Sequence, residues 1–338
     1  MPLSFRPIPR PKVWGGNRLK SLLGRDFPAE EKIGESWEIS DHGREISIVD
    51  SGRLAGHSLN ELVRKRGGEL MGKALARRHK ARFPLLVKLI DTGETLSVQV
   101  HPSDKDAKRL NPPAGGLCKA EAWYVLHAAP DAVMYHGLHE DVTRESLKEM
   151  LEKNEIERAL RKFLVKQGDV LFCPPGTVHA VGKGLVLVEV QQTSDTTLRI
   201  FDWGRAQDPR NPRPLHIKES LEVITFGKQP PEKVRPAPIV ASPWKRERIV
   251  ACDKFGVELW HFHRETSVPQ HGAGPSIDTA NPNGFEILTC VGGKATICAG
   301  HVTHEFMFGS SVLVPAAVDS WTIVPAPEIS LLHTAALH

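Results

Sequence analysis

The sequence predicts a mainly β protein built from short strands that close into barrels. Its 338 residues include 26 prolines and 28 glycines, and short apolar runs between frequent turn residues are typical of all-β barrels and sandwiches. A second observation is the strict alternation of apolar and polar residues over 96–101. Because successive side chains of a strand point to opposite faces, Ser97, Gln99 and His101 would line one face, as in the wall of a pocket.

The same patterns assign the other elements in chain order. The predicted strands are 85–90, 95–101, 121–126, 170–173, 185–191 and 197–202. Helical insertions are predicted at about 58–78 and at 143–163, where Leu147, Met150 and Leu151 recur at helical spacing. A third helix is predicted over 217–225, and the chain after residue 243 is again strand-like.

A proline-rich segment divides the chain. Residues 229–243 show little periodicity and are interpreted as a linker, which predicts one domain over 1–235 and a second over 236–338. The two halves share a spacing. It reads Gly168-x5-Pro174-x-Gly176-x2-His179 in the first half and Gly309-x5-Pro315-x-Ala317-x2-Ser320 in the second. The second half is therefore predicted to be a related barrel in which serine stands in place of the histidine.

Composition excludes several classes of protein. The chain is 40% hydrophobic and 25% charged, as ordinary globular proteins are. It has no apolar run of about 18 residues, and residues 1–16 lack the apolar core of a secretory signal, so we expect a cytoplasmic protein without a membrane span. The net charge of +4 suits an anionic small substrate. The basic run over 73–82 lacks interleaved aromatic residues, so no nucleic-acid partner is expected, and oligomeric state leaves no signal.

The five cysteines predict reduced thiols, because their number is odd and no Cys-x-x-Cys occurs. Cys118 and Cys173 each lie close in sequence to a candidate metal ligand. A catalytic thiol is one interpretation of these two residues. Burial as a small apolar side chain is the interpretation that the sequence favours.

Four polar residues form a candidate ligand set for a divalent metal ion. Gln99, His101, Glu121 and His179 offer the nitrogen and oxygen donors that such ions take in proteins. Two further histidine pairs, His136-x2-His139 and His261-x-His263, have metal-like spacing. They are interpreted as ordinary histidines, since the first lies in a glycine-containing loop and the second has no matching Pro-Gly-His turn.

These motifs resemble those of the cupin superfamily. The spacing from Gly168 to His179 resembles the second cupin motif, and Gln99-x-His101 followed by Glu121 resembles the first, with glutamine in place of a histidine. That variant is similar to the type I mannose-6-phosphate isomerases, in particular their short bacterial members. Matching segments lie at 13–16, 33–38, 83–88, 119–124, 175–180 and 191–199.

The resemblance implies a fold and an activity. The fold would be two cupin jelly-roll barrels, the second degenerate, with a helical insertion. The activity would be metal-dependent interconversion of mannose 6-phosphate and fructose 6-phosphate through an enediolate, with a sugar phosphate as the small-molecule partner. One Zn²⁺ per chain would be held by the four candidate ligands. Ser97 would contact the phosphate, Arg199 would be an active-site arginine, and Lys88 and Lys119 would be active-site lysines that contact substrate oxygens or shuttle protons.

The residues themselves leave alternatives open. Arg199 could stabilise an oxyanion or form a structural ion pair with Asp195 or Glu189. Lys88 lies within an apolar run, where an unpaired charge is costly, and this hints at function. The general base could be Glu189, Lys119 or a metal-bound water, and Glu189 could instead orient His179 or Arg199. An iron oxygenase or a non-catalytic sugar-binding cupin are the alternative functions.

Overall fold

The structure is a computed structural model that describes residues 1–28, 30–80, 82–110, 118–207, 212–240, 245–263, 276–277, 284–300 and 302–337. It is mainly β, as predicted. The strands of the first half are β1 Leu3–Ser4, β2 Ile8–Gly16, β3 Ile33–Ile39, β4 Asp41–His42, β5 Glu45–Ile46, β6 Leu85–Asp91, β7 Val98–Val100, β8 Glu121–Ala128, β9 Val133–Leu138 and β10 Leu160–Leu164. The later strands are β11 Val170–Cys173, β12 His179–Val181, β13 Leu185–Gln192, β14 Leu198–Phe201, β15 Ala237–Val240, β16 Lys245–Ala251, β17 Phe255–His263, β18 Ser276–Ile277, β19 Glu286–Ala299, β20 Val302–Met307, β21 Ser311–Val314 and β22 Trp321–Ala336.

Short helices lie between the strands of the first two thirds of the chain. They are α1 Arg18–Leu23, α2 Leu59–Met71, α3 Lys73–His79, α4 Asp104–Leu110, α5 Arg144–Glu152 and α6 Ile217–Val223, with 3-10 turns at Gly52–Leu54, Ile156–Ala159 and Arg205–Gln207. The hydroxyl of Ser58 caps α2 by accepting from the Glu61 backbone N–H. Gly72, with φ +84°, separates α2 from α3, and α2 itself is kinked at Arg66, so the helical insertion predicted at 58–78 is not one continuous helix.

The second predicted insertion is correct only at its start. Thr143 caps α5, and Leu147 is buried as the helical spacing requires, but the helix ends at Glu152. Asn154 takes a left-handed φ of +55°, a conformation that asparagine tolerates and that interrupts a helix. After a 3-10 turn the chain forms β10, which pairs with β9, so the prediction of helix up to residue 163 is wrong. The third predicted helix is confirmed as α6.

Contacts divide the chain into two compact units. The first contains Met1–Ile8, Trp37–Val87 and Arg235–His338, and the second contains Pro9–Ser36 and Lys88–Val234. One boundary of this division falls at residue 235, where the proline-rich segment predicted a linker. The division of the sequence into 1–235 and 236–338 differs from it in the placement of the segments 1–8 and 37–87.

The second unit carries the candidate ligands on facing sheets. Its residues belong to one sheet in the order β10-β9-β12-β7-β14 and to another in the order β11-β8-β13-β6-β3-β2, where β2, β3 and β6 extend past the boundaries of the unit. Val98 and Val100 of β7 pack outward in a cluster that includes residues of α5 and α6. Apolar side chains such as Trp123 and Leu187 fill the space on the other side. The alternation over 98–101 therefore turns Gln99 and His101 away from the outer cluster, whereas Leu96, before the strand, belongs to the cluster on the other side.

The first unit contains the second of the two related sequence motifs. Nine of its described strands form a sheet in the order β1-β21-β19-β22-β17-β16-β15, with β18 paired to β22 and β20 paired to β19, and β4 pairs with β5 in a separate two-stranded sheet. Strand β21 ends just before Pro315, as β11 ends just before Pro174. Ser320, which stands where the first half has His179, is exposed. Among the described residues, no helix combines the length and apolar character needed to cross a membrane.

Candidate metal centre

The structure brings the four candidate ligands together from both sheets of the second unit. Gln99 lies in β7, and its Cα partner in β12 is His179, so the two side chains share a face. His101 follows β7 by one residue, and Glu121 is the first residue of β8. His101, Glu121 and His179 are 1%, 0% and 0% exposed. The site is therefore a buried cluster of polar groups.

The ligand atoms converge on the carboxylate of Glu121. Its Oε1 lies 3.2 Å from Nε2 of His101 and 3.0 Å from Nε2 of His179. The donor atoms of these three residues all lie within 4.8 Å of one another. The amide nitrogen of Gln99 lies 3.1 Å from Nε2 of His179, and a half-turn of that amide would present its oxygen to the same point.

Backbone carbonyls set the tautomers of both imidazoles. Nδ1 of His101 lies 2.8 Å from the carbonyl oxygen of Thr196, and Nδ1 of His179 lies 3.0 Å from that of Thr177. Because a carbonyl can only accept, each Nδ1 carries the proton and each Nε2 carries a lone pair. Burial, and secondarily the charge of Lys119, lower the pKa of His101 to about 4, so this imidazole is neutral at neutral pH.

This donor set fits a metal ion. Two Nε2 lone pairs and a carboxylate oxygen face one another at 3.0–3.2 Å, and within the described residues neither oxygen of Glu121 receives a well-directed hydrogen bond. Lys119 pairs with Oε2 of Glu121 at 2.6 Å, whereas Oε1 faces the two lone pairs, and a divalent cation between these three atoms would replace repulsion with coordination. Two imidazoles, one carboxylate and one amide oxygen are donors that zinc and similar ions accept.

Lys119 lies beside the ligands. Its Nζ is 2.6 Å from Oε2 of Glu121 and 3.3 Å from Nε2 of His101. Burial alone would lower the pKa of Lys119, but the carboxylates of Glu121 and Glu189 raise it well above its ordinary value. Lys119 is therefore an ammonium ion that contributes positive charge to the site.

A second buried lysine, Lys88, pairs with carboxylates on neighbouring strands. Nζ of Lys88 lies 3.2 Å from Oε1 of Glu189 and 3.9 Å from Oε2 of Glu35. These two carboxylates raise the pKa of Lys88 above its ordinary value, although burial opposes them. Nε1 of Trp123 donates a 2.9 Å hydrogen bond to Oε2 of Glu189. The lysine inside an apolar strand, which the sequence marked as unusual, is thus paired with acids.

Arg199 lies next to Gln99 in the sheet. The two residues are Cα partners in β14 and β7, so the arginine shares the face of the ligand. Its Nη1 donates to the carbonyl oxygen of Pro214 at 3.0 Å, and within the described residues its Nε has no hydrogen-bond partner. Among those residues Arg199 forms no ion pair with Asp195 or Glu189, the structural alternative considered from the sequence. Ser97 is buried just before β7.

The sequence predicted a glycine-containing loop at His136, but the structure places it in strand β9. This residue is the Cα partner of His179 in β9, it is fully buried, and its ring lies 6.3 Å from that of Trp123. Burial, and secondarily the neighbouring His179, lower its pKa to about 4. The signal that could have found it is the alternation of β9, in which Met134 and His136 share a face. His139 of the same motif is exposed.

The fold and site together define a class of protein. Facing antiparallel sheets, with two histidines and a glutamate converging between them, are the features of a metal-binding cupin. Comparison with known proteins narrows the class. Residues 5–115 match the family model for the phosphomannose isomerase type I catalytic domain.

Full-length relatives agree with that match. The mannose-6-phosphate isomerase of Streptococcus mutans is 34% identical over 333 residues, and the alignment covers 98% of each chain. The mannose-6-phosphate isomerase ManA of Bacillus subtilis is 32% identical over 335 residues, again with 98% of each chain covered. The chain belongs to the type I mannose-6-phosphate isomerase family.

Solved structures support the fold. The crystal structure of the mannose 6-phosphate isomerase from Bacillus subtilis matches with a TM-score of 0.85 at 27% identity, covering 98% of this chain and 99% of that one. The structure of a putative mannosephosphate isomerase from Archaeoglobus fulgidus matches with a TM-score of 0.76, also at 27% identity, covering 100% and 99%. The cupin fold expected from the sequence is confirmed.

Proposed function

We propose that the protein interconverts mannose 6-phosphate and fructose 6-phosphate, using one Zn²⁺ held by Gln99, His101, Glu121 and His179. The observation that carries this proposal is the convergence of two Nε2 lone pairs and the Glu121 carboxylate at 3.0–3.2 Å inside a buried cluster. Family membership supplies the reaction, since curated relatives of full length carry the name mannose-6-phosphate isomerase.

The donor set favours a transition-metal ion such as zinc over magnesium or calcium. Imidazole suits zinc, copper, iron and nickel, whereas sites for magnesium or calcium are built mainly from oxygen. A single carboxylate with two neutral imidazoles and an amide leaves the ion a net positive charge, which suits chemistry on an oxyanion. When bound, the ion supplies Lewis-acid polarisation of the sugar oxygens at C1 and C2.

Two cationic side chains, Lys119 and Arg199, can stabilise the negative charge that develops during this reaction. Removing the C2 proton of an open-chain aldose produces an enediolate, which is later protonated at C1, so negative charge develops on oxygen in between. Lys119 is held as an ammonium ion beside Glu121, and Arg199 lies on the face of Gln99 with a rigid, permanently charged fork. Positive groups fixed before the reaction stabilise such charge without reorganising.

Glu189 is the side chain that the geometry favours as the base. Lys119 was an alternative, but its Nζ is engaged by Oε2 of the ligand Glu121 at 2.6 Å. Glu189 is a buried carboxylate held by Trp123 through Oε2, while its Oε1 receives no well-directed hydrogen bond from the described residues. Lys88, 3.2 Å from Oε1, would orient the carboxylate and exchange protons with it.

The substrate and the cellular setting follow from the same proposal. The partner would be a small sugar phosphate, with the buried Ser97 near its phosphate and neighbouring cations balancing the charge. The protein would act in the cytoplasm, where free sugar phosphates are metabolised. No structural observation favours the oxygenase or the non-catalytic alternative.

A coupled assay tests the proposal directly. Zinc-loaded protein should isomerise mannose 6-phosphate, and a chelator should remove the activity until zinc is restored. The His179→Ala variant should lose both activity and stoichiometric zinc. The control is His139→Ala, since His139 is exposed and belongs to a motif outside the ligand set. Zinc-loaded wild-type protein without sugar-phosphate isomerisation would refute the proposal.

A further inference from the structure

A buried thiol lies directly behind one of the candidate ligands. Cys173 is the last residue of β11, and its Cα partner in β8 is Glu121. Because directly paired residues share a face, the Cys173 side chain lies on the face that carries the Glu121 carboxylate. It is 1% exposed. The turn that follows it delivers His179, so this cysteine stands at the base of the ligand loop.

The sulfur of Cys173 contacts the edge of the His179 ring that lies opposite Glu121. Sγ of Cys173 lies 3.2 Å from Nδ1 of His179, while Nε2, on the other edge of the ring, faces Glu121. Nδ1 also lies 3.0 Å from the carbonyl oxygen of Thr177. Since the carbonyl can only accept, the Nδ1 proton points toward it, and the sulfur is a second acceptor beside the same N–H.

The thiol has its own donor contacts. Sγ lies 4.0 Å from the carbonyl oxygens of both Pro174 and Thr177, so an S–H directed at either leaves a sulfur lone pair for Nδ1. The thiol is 1% exposed, whereas a catalytic nucleophile needs access to its substrate. Of the two interpretations drawn from the sequence, burial is the one that this geometry supports.

We propose that Cys173 is a positioning residue, which together with the Thr177 carbonyl fixes the tautomer and ring plane of His179 and so sets the affinity of the site for its metal ion. The inference rests on the proposed metal site and deepens it. Partners behind a metal-bound imidazole hold the proton on the distal nitrogen and aim the lone pair of the other nitrogen at the ion. Loss of such partners typically costs about 10-fold to 100-fold in metal affinity.

A matched pair of cysteines allows the test. Cys173→Ala removes the sulfur, and Cys173→Ser keeps a shorter polar atom in its place. Cys290→Ala is the control, because Cys290 is 0% exposed and belongs to the first compact unit, where its Sγ contacts the carbonyl oxygens of Gly292 and Gly293. Both alanine variants delete one buried sulfur atom, and Cys173 alone of the two touches a candidate ligand.

Two readouts separate positioning from packing. The first is the zinc dissociation constant, measured by competition with a chromophoric chelator. We expect about tenfold weaker binding for Cys173→Ala, an intermediate value for Cys173→Ser, and wild-type affinity for Cys290→Ala. The second is the tautomer of His179 in metal-free protein, followed by ¹⁵N NMR, which should shift from protonated Nδ1 toward a mixture only in the Cys173 variants.

The outcomes distinguish this inference from the proposed function. Wild-type protein that binds no divalent ion overturns both. Wild-type protein that binds zinc while Cys173→Ala and Cys173→Ser bind it within twofold overturns the positioning role alone, as does an unchanged His179 tautomer. If Cys173→Ala does not fold, Cys173→Ser and Cys173→Val decide the question, since valine fills the volume without a polar atom and should behave as alanine does.

Discussion

Trp123 and Glu189 are direct Cα partners in β8 and β13, and the indole Nε1 donates a 2.9 Å hydrogen bond to Oε2 of the carboxylate. The same indole ring packs 5.2 Å from the ring of His179. One side chain thus contacts both a candidate metal ligand and the candidate base. An aromatic residue that looks like ordinary core filling is therefore placed to hold two functional groups at a fixed separation.

Replacing Trp123 with phenylalanine should separate the effect of its hydrogen bond from the effect of its size. Trp123→Phe leaves Oε2 of Glu189 without its buried donor, which should cost roughly 1–3 kcal/mol of unfolding free energy and lower kcat about tenfold. The control is Trp321→Phe, because Trp321 makes an equivalent 2.9 Å bond to Glu286 in the first unit. Denaturant unfolding should show similar losses in both variants, while kinetics should change only in the first. Equal kcat values would count against a role for this hydrogen bond.

Metal removal should destabilise the protein as well as inactivate it. In the metal-free site two imidazole lone pairs and the Glu121 carboxylate face each other at 3.0–3.2 Å, so a bound ion relieves repulsion in the folded state only. Zinc at a hundred times its dissociation constant should add about 2.7 kcal/mol to the unfolding free energy. The melting temperature with and without a chelator measures this difference, and His101→Ala should abolish it. An unchanged melting temperature at saturating zinc would contradict the assignment.

Arg199 should act through its geometry as well as its charge. The Cα pairing with Gln99 puts it on the ligand face, and removal of a preorganised oxyanion-stabilising group typically costs 10²-fold to 10³-fold in kcat. We expect that loss for Arg199→Ala, with only partial recovery in Arg199→Lys, since lysine lacks the planar fork. Steady-state kinetics would measure both. Arg158→Ala, at an exposed arginine paired with Glu155, is the control and should retain wild-type kcat.

Glu258 should make the free energy of unfolding of the first unit depend on pH in the acid range. Burial opposes its ionisation, but hydrogen bonds from Arg246 and Trp260 lower the pKa of this carboxyl below its usual 4.5. The folded protein therefore holds this proton less tightly than the unfolded chain does. The resulting stability is present above about pH 4.5 and is lost as the pH falls through the folded pKa. Glu258→Gln should flatten this acid slope in urea unfolding, whereas Glu305→Gln, an exposed control, should leave it unchanged.

Sequence patterns predicted those parts of the site that depend on short-range geometry. Gln99 and His101 follow from strand alternation, His179 follows from a Pro-Gly turn, and Lys88 stands out as a charge within an apolar run. The packing behind them depends on which strands face each other, and local spacing does not encode that. The contact of Cys173 with His179 and the bond between Trp123 and Glu189 are of this kind.

The same limit explains the parts of the fold that were not predicted. The helix predicted to residue 163 ends at Glu152 because the following segment pairs with β9, a preference that is set by the neighbouring strand. The grouping of residues 37–87 with the end of the chain likewise rests on contacts distant in sequence. Periodicity identifies which face of an element is apolar, but it does not identify the partner that covers that face.

Substitution of glycine by alanine should change the free energy of unfolding in opposite directions at Gly182 and at Gly68. At Gly182, which follows β12, an added Cβ would overlap the backbone carbonyl oxygen of Val133, to which Gly182 donates a 3.0 Å hydrogen bond. Backbone cannot move aside cheaply, so Gly182→Ala should cost roughly 1–3 kcal/mol and weaken zinc binding by displacing the strand of His179. At Gly68, in α2, the nearest atom to an added Cβ is Cγ of Lys73 at 3.9 Å. Gly68→Ala should therefore stabilise the fold by roughly 0.5–1 kcal/mol. Urea unfolding measures the change in unfolding free energy for both variants. A change of the same sign in both would show that helix propensity and backbone overlap do not explain these positions.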